Sequence, residues 1–160
     1  MKYDFTQARK SIETLDKRRF DRALLGSGDA FRHIVSLVPL LLHLNHPALP
    51  GYVEDAPAGI ADFTLSNYQQ NFLSKEHPEL VEAVQSAVNS NAVFAPILGI
   101  YVMGSFGSIS QTSASDLDIW ICHQDDLSEQ DQQRLAEKTK KISQWASTYH
   151  VEMHFYLMTQ

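Results

Sequence analysis

The chain carries a single cysteine, Cys122, among its 160 residues, which excludes an internal disulfide and fits a reducing cytosol. It has no excess of positive charge. Thirteen Lys and Arg stand against nineteen Asp and Glu, for a formal net charge of −6. That balance argues against nonspecific binding of nucleic acid or an anionic membrane surface. No long hydrophobic run is present: residues 34–44 come nearest, but Ser36, Pro39 and His43 interrupt them, and the run is too short to span a bilayer. The N-terminus, MKYDFTQARK, lacks the apolar core of a signal peptide, so a cytoplasmic protein is expected. Repeats and low-complexity tracts are also missing. What remains is 44% hydrophobic and 20% charged, ordinary for a soluble globular domain.

The informative stretch is Val102 to His123, VMGSFGSISQTSASDLDIWICH. Asp116 and Asp118 are two positions apart, and strand side chains repeat every second residue, so both carboxylates emerge on one face. Leu117, Ile119 and Ile121 point the other way, the pattern of a half-buried strand. Adjacent carboxylates repel, and a cation must compensate them. A hard divalent ion, Mg²⁺ or Mn²⁺, suits an all-oxygen site and brings phosphate groups with it. Upstream, Gly104 lets the backbone approach a phosphate closely, and Ser105 offers N–H and O–H donors. A third acid lies in YHVEMHFYLM, Tyr149 to Met158. There Val151, Met153, Phe155 and Leu157 form one face, and Glu152, His154 and Tyr156 the other. If this strand lies beside the Asp-x-Asp strand over the same core, Glu152 joins Asp116 and Asp118, enough for a two-metal site.

This arrangement resembles the polymerase-beta-like nucleotidyltransferase superfamily. The wording resembles one branch more closely, the class I adenylate cyclases of gamma-proteobacteria, whose signature is written MGS-x-x-S-x-x-Q-S-x-x-SDLDIWVCH. VPLLLHLNHPALPGYV, Val38 to Val53, resembles that family's LLP-x-LLHYNHP-x-LPGY segment, and Trp145 to Glu152 resembles its helix-to-strand step. The resemblance implies that Asp116 and Asp118 bind metal, with Glu152 at the third-carboxylate position, and that Gly104 and Ser105 hold phosphate. It implies cyclisation of ATP to 3′,5′-cyclic AMP and pyrophosphate, with Mg²⁺ or Mn²⁺ as cofactor. Phe106 and Gly107 depart from the family wording, where small hydroxyl residues are usual. Family members are several times longer, with a regulatory C-terminal half and a link to a sugar-phosphotransferase component. The chain is therefore expected to be an N-terminal piece of the catalytic part, inactive alone. A nucleotidyltransferase acting on another acceptor hydroxyl, and a non-catalytic nucleotide-binding module, are the alternatives.

The expected fold is α+β: a nucleotidyltransferase-like small mixed sheet with flanking helices in residues 96–160, preceded by a helical region in 1–95 packed on it. Helices are expected at Phe5–Leu25, with Ile12, Leu15, Phe20 and Leu24 as contacts, and from an Asp29 cap to about Leu44, kinked or divided at Pro39. Asn45 to Ala61 reads as a loop held by its own contacts. Short helices follow at 66–73 and 78–88, and Pro96 opens a strand over Ile97–Met103. Ser128 caps a helix running to Tyr149, with Leu135, Ile142, Trp145, Ala146 and Tyr149 facing the sheet. Several residues carry plainer readings. Asp116 and Asp118 could cap a turn, and Glu152 could be a solvated edge acid. Ser113 and Ser115 could contact phosphate or cap the loop. Trp120 could flank a base, though packing is favoured. Mg²⁺ prefers oxygen, so His123 and His154 are read as structural or exposed. His43 and His46 are read as structural, Cys122 as a small buried residue, and Lys138, Lys140 and Lys141 as a solvated face.

Overall fold

The computed structural model describes residues 5–25, 27–89, 95–103 and 116–159. In chain order the elements are α1 (Phe5–Leu25), α2 (Asp29–His43), α3 (Asn67–Glu76), a 3-10 turn (Pro78–Leu80), α4 (Val81–Asn89), β1 (Ile97–Met103), β2 (Leu117–His123), α5 (Glu129–Ser147) and β3 (Met153–Thr159). The α+β class is as expected, with a three-stranded sheet ordered β1-β2-β3. β1 and β2 pair antiparallel, whereas β2 and β3 pair parallel, as a strand–helix–strand crossover through α5 requires.

α2 is the central helix. Ile34, Leu37, Leu40, Leu41 and Leu42 are all fully buried, and a helix apolar on nearly every side belongs inside a core. Each such side chain contributes about 1.5–3 kcal/mol. Together they offset the roughly 3 kcal/mol that a proline inside a helix costs, and α2 runs unbroken past Pro39. Asp29 is the first helical residue and not the cap: Gly28 occupies that position and makes no side-chain cap bond. The core joins α2 to Leu135, Ile142 and Ala146 of α5 and to Leu117, Ile119 and Ile121 of β2. The 1–95 and 96–160 parts therefore share one hydrophobic cluster. Among the described residues, α1 reaches the core through its last turns, at Phe20, Ala23 and Leu24. Ile12 and Leu15, expected contacts, are each 58% exposed, because the packed stripe starts one turn after them.

The loop after α2 is held by its own contacts, as expected. Asn45 donates from Nδ2 to the Val53 carbonyl at 2.7 Å and accepts the Val53 N–H at 3.4 Å. Lys138 overturns the solvated reading of its cluster: it is 1% exposed. Its ammonium donates to the Leu44 carbonyl at 2.8 Å and to Asn45 Oδ1 at 3.2 Å. Lys140 and Lys141 are exposed, and Lys141 Nζ reaches the Tyr52 carbonyl at 3.1 Å. Gly51 allows this close docking of α5. Its φ is +85°, and a Cβ there would run into the Ile142 side chain. Further on, Ile97 N–H donates to the Gly59 carbonyl at 3.1 Å and Ala61 N–H to the Ile97 carbonyl at 2.9 Å, latching the loop to β1.

The two loop histidines are structural, as read. His43 Nδ1 accepts the Ile60 N–H at 3.1 Å and its ring stacks on Phe63 with centroids 4.0 Å apart; burial pushes its pKa down. His46 Nδ1 accepts the Ala48 N–H at 3.2 Å. α3 starts at a capping box in which Ser66 and Gln69 satisfy each other's backbone N–H groups. His33 links three helices: its Nδ1 is 2.8 Å from the Tyr68 hydroxyl, and its ring centroid lies 5.9 Å from those of Phe72 and Trp145.

Candidate metal centre

The site is built by the parallel ladder of β2 and β3, in register from Leu117↔Met153 to His123↔Thr159. Leu117 N–H donates to the Glu152 carbonyl at 3.0 Å, which carries the pairing to the residues just before each strand and brings Asp116 beside Glu152. Alternation then divides the faces. Leu117, Ile119, Ile121 and Met153 are buried in the core, while Asp118, Trp120, His154 and Tyr156 lie on the open face. The expected neighbourhood of β2 and β3, with apolar residues on one side and acids on the other, is present.

Asp116, Glu152 and His154 form the tightest group, each offering a ligand atom within 4.8 Å of the others'. All three are exposed. His154 Nε2 lies 3.4 Å from Glu152 Oε1. Asp118 is half-buried and stands opposite His154 in the register. It is outside that group, and its Oδ1 accepts a long hydrogen bond of 3.4 Å from the Tyr156 hydroxyl. Beside it lies a hollow of ≈530 Å³ lined by Met103, Asp118, Trp120, Tyr156, Leu157 and Met158. A larger groove of ≈910 Å³ between α5 and β3 reaches Glu152 and His154 from the other side. Glu152 and His154 thus line the larger groove and Asp118 the smaller hollow. Two carboxylates and an imidazole are a donor set that a divalent cation fits.

Gly104, Ser105, Phe106, Gly107, Ser113 and Ser115 lie outside the described residues. Trp120 falls in a row of three aromatic residues across the sheet, paired with Tyr101 of β1 and Tyr156 of β3. His123 is 3% exposed with Nδ1 2.8 Å from the Gln124 carbonyl, a structural role as read. Cys122 is half-buried on the open face. The sequence reading passed over Tyr156 as an Asp118 partner. The signal was available, since the strand period puts Tyr156 on the acid face, but its facing residue depends on register.

The chain is an α+β domain with a small mixed sheet, at whose open face two acids and a histidine come together beside Asp118. The comparisons narrow its class. Residues 4–160 match the family described as "Adenylate cyclase NT domain", and the chain belongs to that family. It is 55% identical over 165 residues to an adenylate cyclase of Haemophilus influenzae, covering 100% of this chain and 20% of the relative. The adenylate cyclase of Pasteurella multocida is 52% identical over 162 residues, with 100% and 19% covered. That of Escherichia coli is 36% identical over 153 residues, with 95% and 18% covered. The chain therefore spans about a fifth of the length of these curated relatives. No solved structure matches it. Among the described residues, no helix is long and apolar enough to cross a membrane.

Proposed function

We propose that this chain is the first part of the catalytic region of an adenylate cyclase, which converts ATP to 3′,5′-cyclic AMP and pyrophosphate. The observation that carries this reading is the pairing of Asp116 with Glu152 by the β2–β3 register, with Asp118 on the same face. The names of the relatives support the same reaction. In this reading residues 96–160 begin a nucleotidyltransferase-like core, and residues 1–95 are a helical support packed on it.

Asp116 and Asp118 would hold Mg²⁺ or Mn²⁺, with Glu152 as the third carboxylate. A bound divalent ion supplies charge neutralisation and makes the ribose 3′-hydroxyl easier to deprotonate. Asp116, Asp118 and Glu152 would hold such an ion beside the triphosphate, where the 3′-oxygen would bond to the α-phosphorus, the bond to the β-phosphate oxygen would break, and the 3′-hydroxyl proton would pass to solvent. Gly104 and Ser105 would hold the departing pyrophosphate through backbone and hydroxyl donors. Catalysis of this type is mainly positioning and charge stabilisation. A C-terminal regulatory part and a sugar-phosphotransferase component complete the proposed system, in the cytoplasm.

The test is incubation with ATP and Mg²⁺ or Mn²⁺ followed by mass spectrometry of the products. Cyclic AMP formed by the longer enzyme, with little from the 160-residue chain alone, is the expected result. AMP transferred to another hydroxyl would instead identify a nucleotidyltransferase. ATP binding without turnover in the longer protein would identify a binding module.

A further inference from the structure

We propose that the free edge of β3 and the groove beside it are the docking surface for the segment that follows position 160 in the longer enzyme, which adds a fourth strand to the sheet and lays a helix next to α5. The inference depends on the family to which the chain belongs and not on the cyclase reaction.

The backbone carries the first part. β3 stands at one end of the order β1-β2-β3, and among the described residues it pairs with β2 alone. The hydrogen bond from Leu117 N–H to the Glu152 carbonyl fixes which main-chain groups face β2. Alternate residues of a parallel strand turn their groups the same way, so those of His154, Tyr156 and Met158 face β2. Those of Phe155 and Leu157 turn to the free edge. Such a row of donors and acceptors is a template for another strand, and proteins blunt it with bulges, prolines, lysines or a covering loop. β1, at the other end of the sheet, has two of these devices: its register shifts between Ile97 and Gly99, and Ile60 bridges to Ile97. β3, MHFYLMT, has no proline, lysine or acid and no register shift.

Packing carries the second part. Ile119 and Ile121 of β2 are 2% and 0% exposed. Phe155 and Leu157, their register partners on the same face, are only half-buried. On their outer side runs the groove of ≈910 Å³, whose other wall includes Ala136, Ser143 and Ser147 of α5. The core is complete under β2 and unfinished beyond β3.

Chain length and handedness identify the occupant. The chain covers 20% of the Haemophilus relative and 19% of the Pasteurella one, and the family it matches is described as an NT domain. Most of such an enzyme therefore follows this part. β2, α5 and β3 already form one parallel crossover. Crossovers of this kind are right-handed in nearly all cases, so a second one continuing past β3 puts its helix over the face that α5 covers, on the α5 side of the groove. Its strand then meets the free edge. A strand added in this way gains main-chain hydrogen bonds along the edge and specificity from pockets for alternate side chains.

Hydrogen exchange read residue by residue along β3 tests this in the longer enzyme, with the 160-residue protein for comparison. In the longer enzyme the N–H groups of Phe155 and Leu157 should exchange as slowly as those of His154 and Tyr156. In the 160-residue protein they should exchange about 100-fold faster than in the longer enzyme, as groups without a partner strand do. Fast exchange at Phe155 and Leu157 in the longer enzyme would overturn the proposal. Slow exchange already present in the 160-residue protein would also overturn it, since a second copy or this part of the chain would then cover the edge; sedimentation at several concentrations tells those two apart. Ala136→Trp, at an exposed position of α5, puts a large side chain into the groove. In the longer enzyme it should restore fast exchange at Phe155 and Leu157 while circular dichroism shows the fold intact. Exchange as slow as in the wild type would overturn the placement of a helix in the groove.

Discussion

Lys138 of α5 donates its ammonium to the Leu44 carbonyl at 2.8 Å, joining residues 94 positions apart. The same nitrogen reaches Asn45, which in turn clasps Val53. The HLNHPALPGY segment, singled out as a signature, is therefore a clamp that seats α5 against α2. Lys138→Ala should destabilise the protein by about 2–4 kcal/mol, through lost packing and unpaired carbonyl groups. Denaturant unfolding measures this, and a change below about 0.5 kcal/mol would refute the clamp.

The same lysine gives an alkaline signature. Burial pushes its pKa down from 10.5 to about 8, so between those values the unfolded chain binds more protons than the folded one. Stability should accordingly rise as the pH goes from 8 to 10.5, and its cost is fully present below 8. Lys138→Met should flatten that part of the stability–pH curve. An unchanged slope in the variant would place the titration elsewhere.

Gly51 predicts a steric effect. Its φ of +85° disfavours a side chain by about 1–2 kcal/mol, and the collision with Ile142 adds about 1–3 kcal/mol of overpacking. Gly51→Ala should lower the melting temperature clearly. Ile142→Ala, which removes the colliding Cγ1, should show a favourable double-mutant coupling with Gly51→Ala.

Acid should weaken the loop between α2 and β1. His43 Nδ1 accepts the Ile60 N–H and must be unprotonated there, and burial holds its pKa below 6.5. A folded-state pKa below the unfolded value gives stability that is present above pH 6.5 and lost as pH falls through the folded value. His33, also lowered by burial, adds to the same trend. His43→Asn should reduce the fall in melting temperature between pH 7 and 5, and a fall as steep as in the wild type would refute the assignment.

For the proposed cyclase, Asp116→Asn and Asp118→Asn in the longer enzyme should each cut turnover by about 10²-fold or more, the scale of one lost transition-state contact. Both positions lie on the open face of the sheet, so stability should stay within about 0.5 kcal/mol. Near-normal cyclic AMP formation by Asp118→Asn would reject the carboxylate's role.

The strands and α5 were legible because periodicity and caps are local: Ile97–Met103 and the Ser128 cap stand as read. Asp116, Asp118 and Glu152 were legible as one face for the same reason. Burial was less so. Lys138 looks like its exposed neighbours Lys140 and Lys141, and only the loop from Asn45, far away in sequence, turns it inward. Ile12 and Leu15 look like core residues, but each is 58% exposed among the described residues. His154 and Tyr156 required the register between two strands, which α5 fixes in three dimensions.

That register also protects against misassembly. Sliding β3 by one residue along β2 would turn Glu152 and His154 toward the interior and expel Met153, Phe155 and Leu157 into water. A chain with a wrongly aligned centre would therefore be a chain with a broken core. Folding and correct alignment of the acids are one event, and no stable population with a scrambled centre should accumulate.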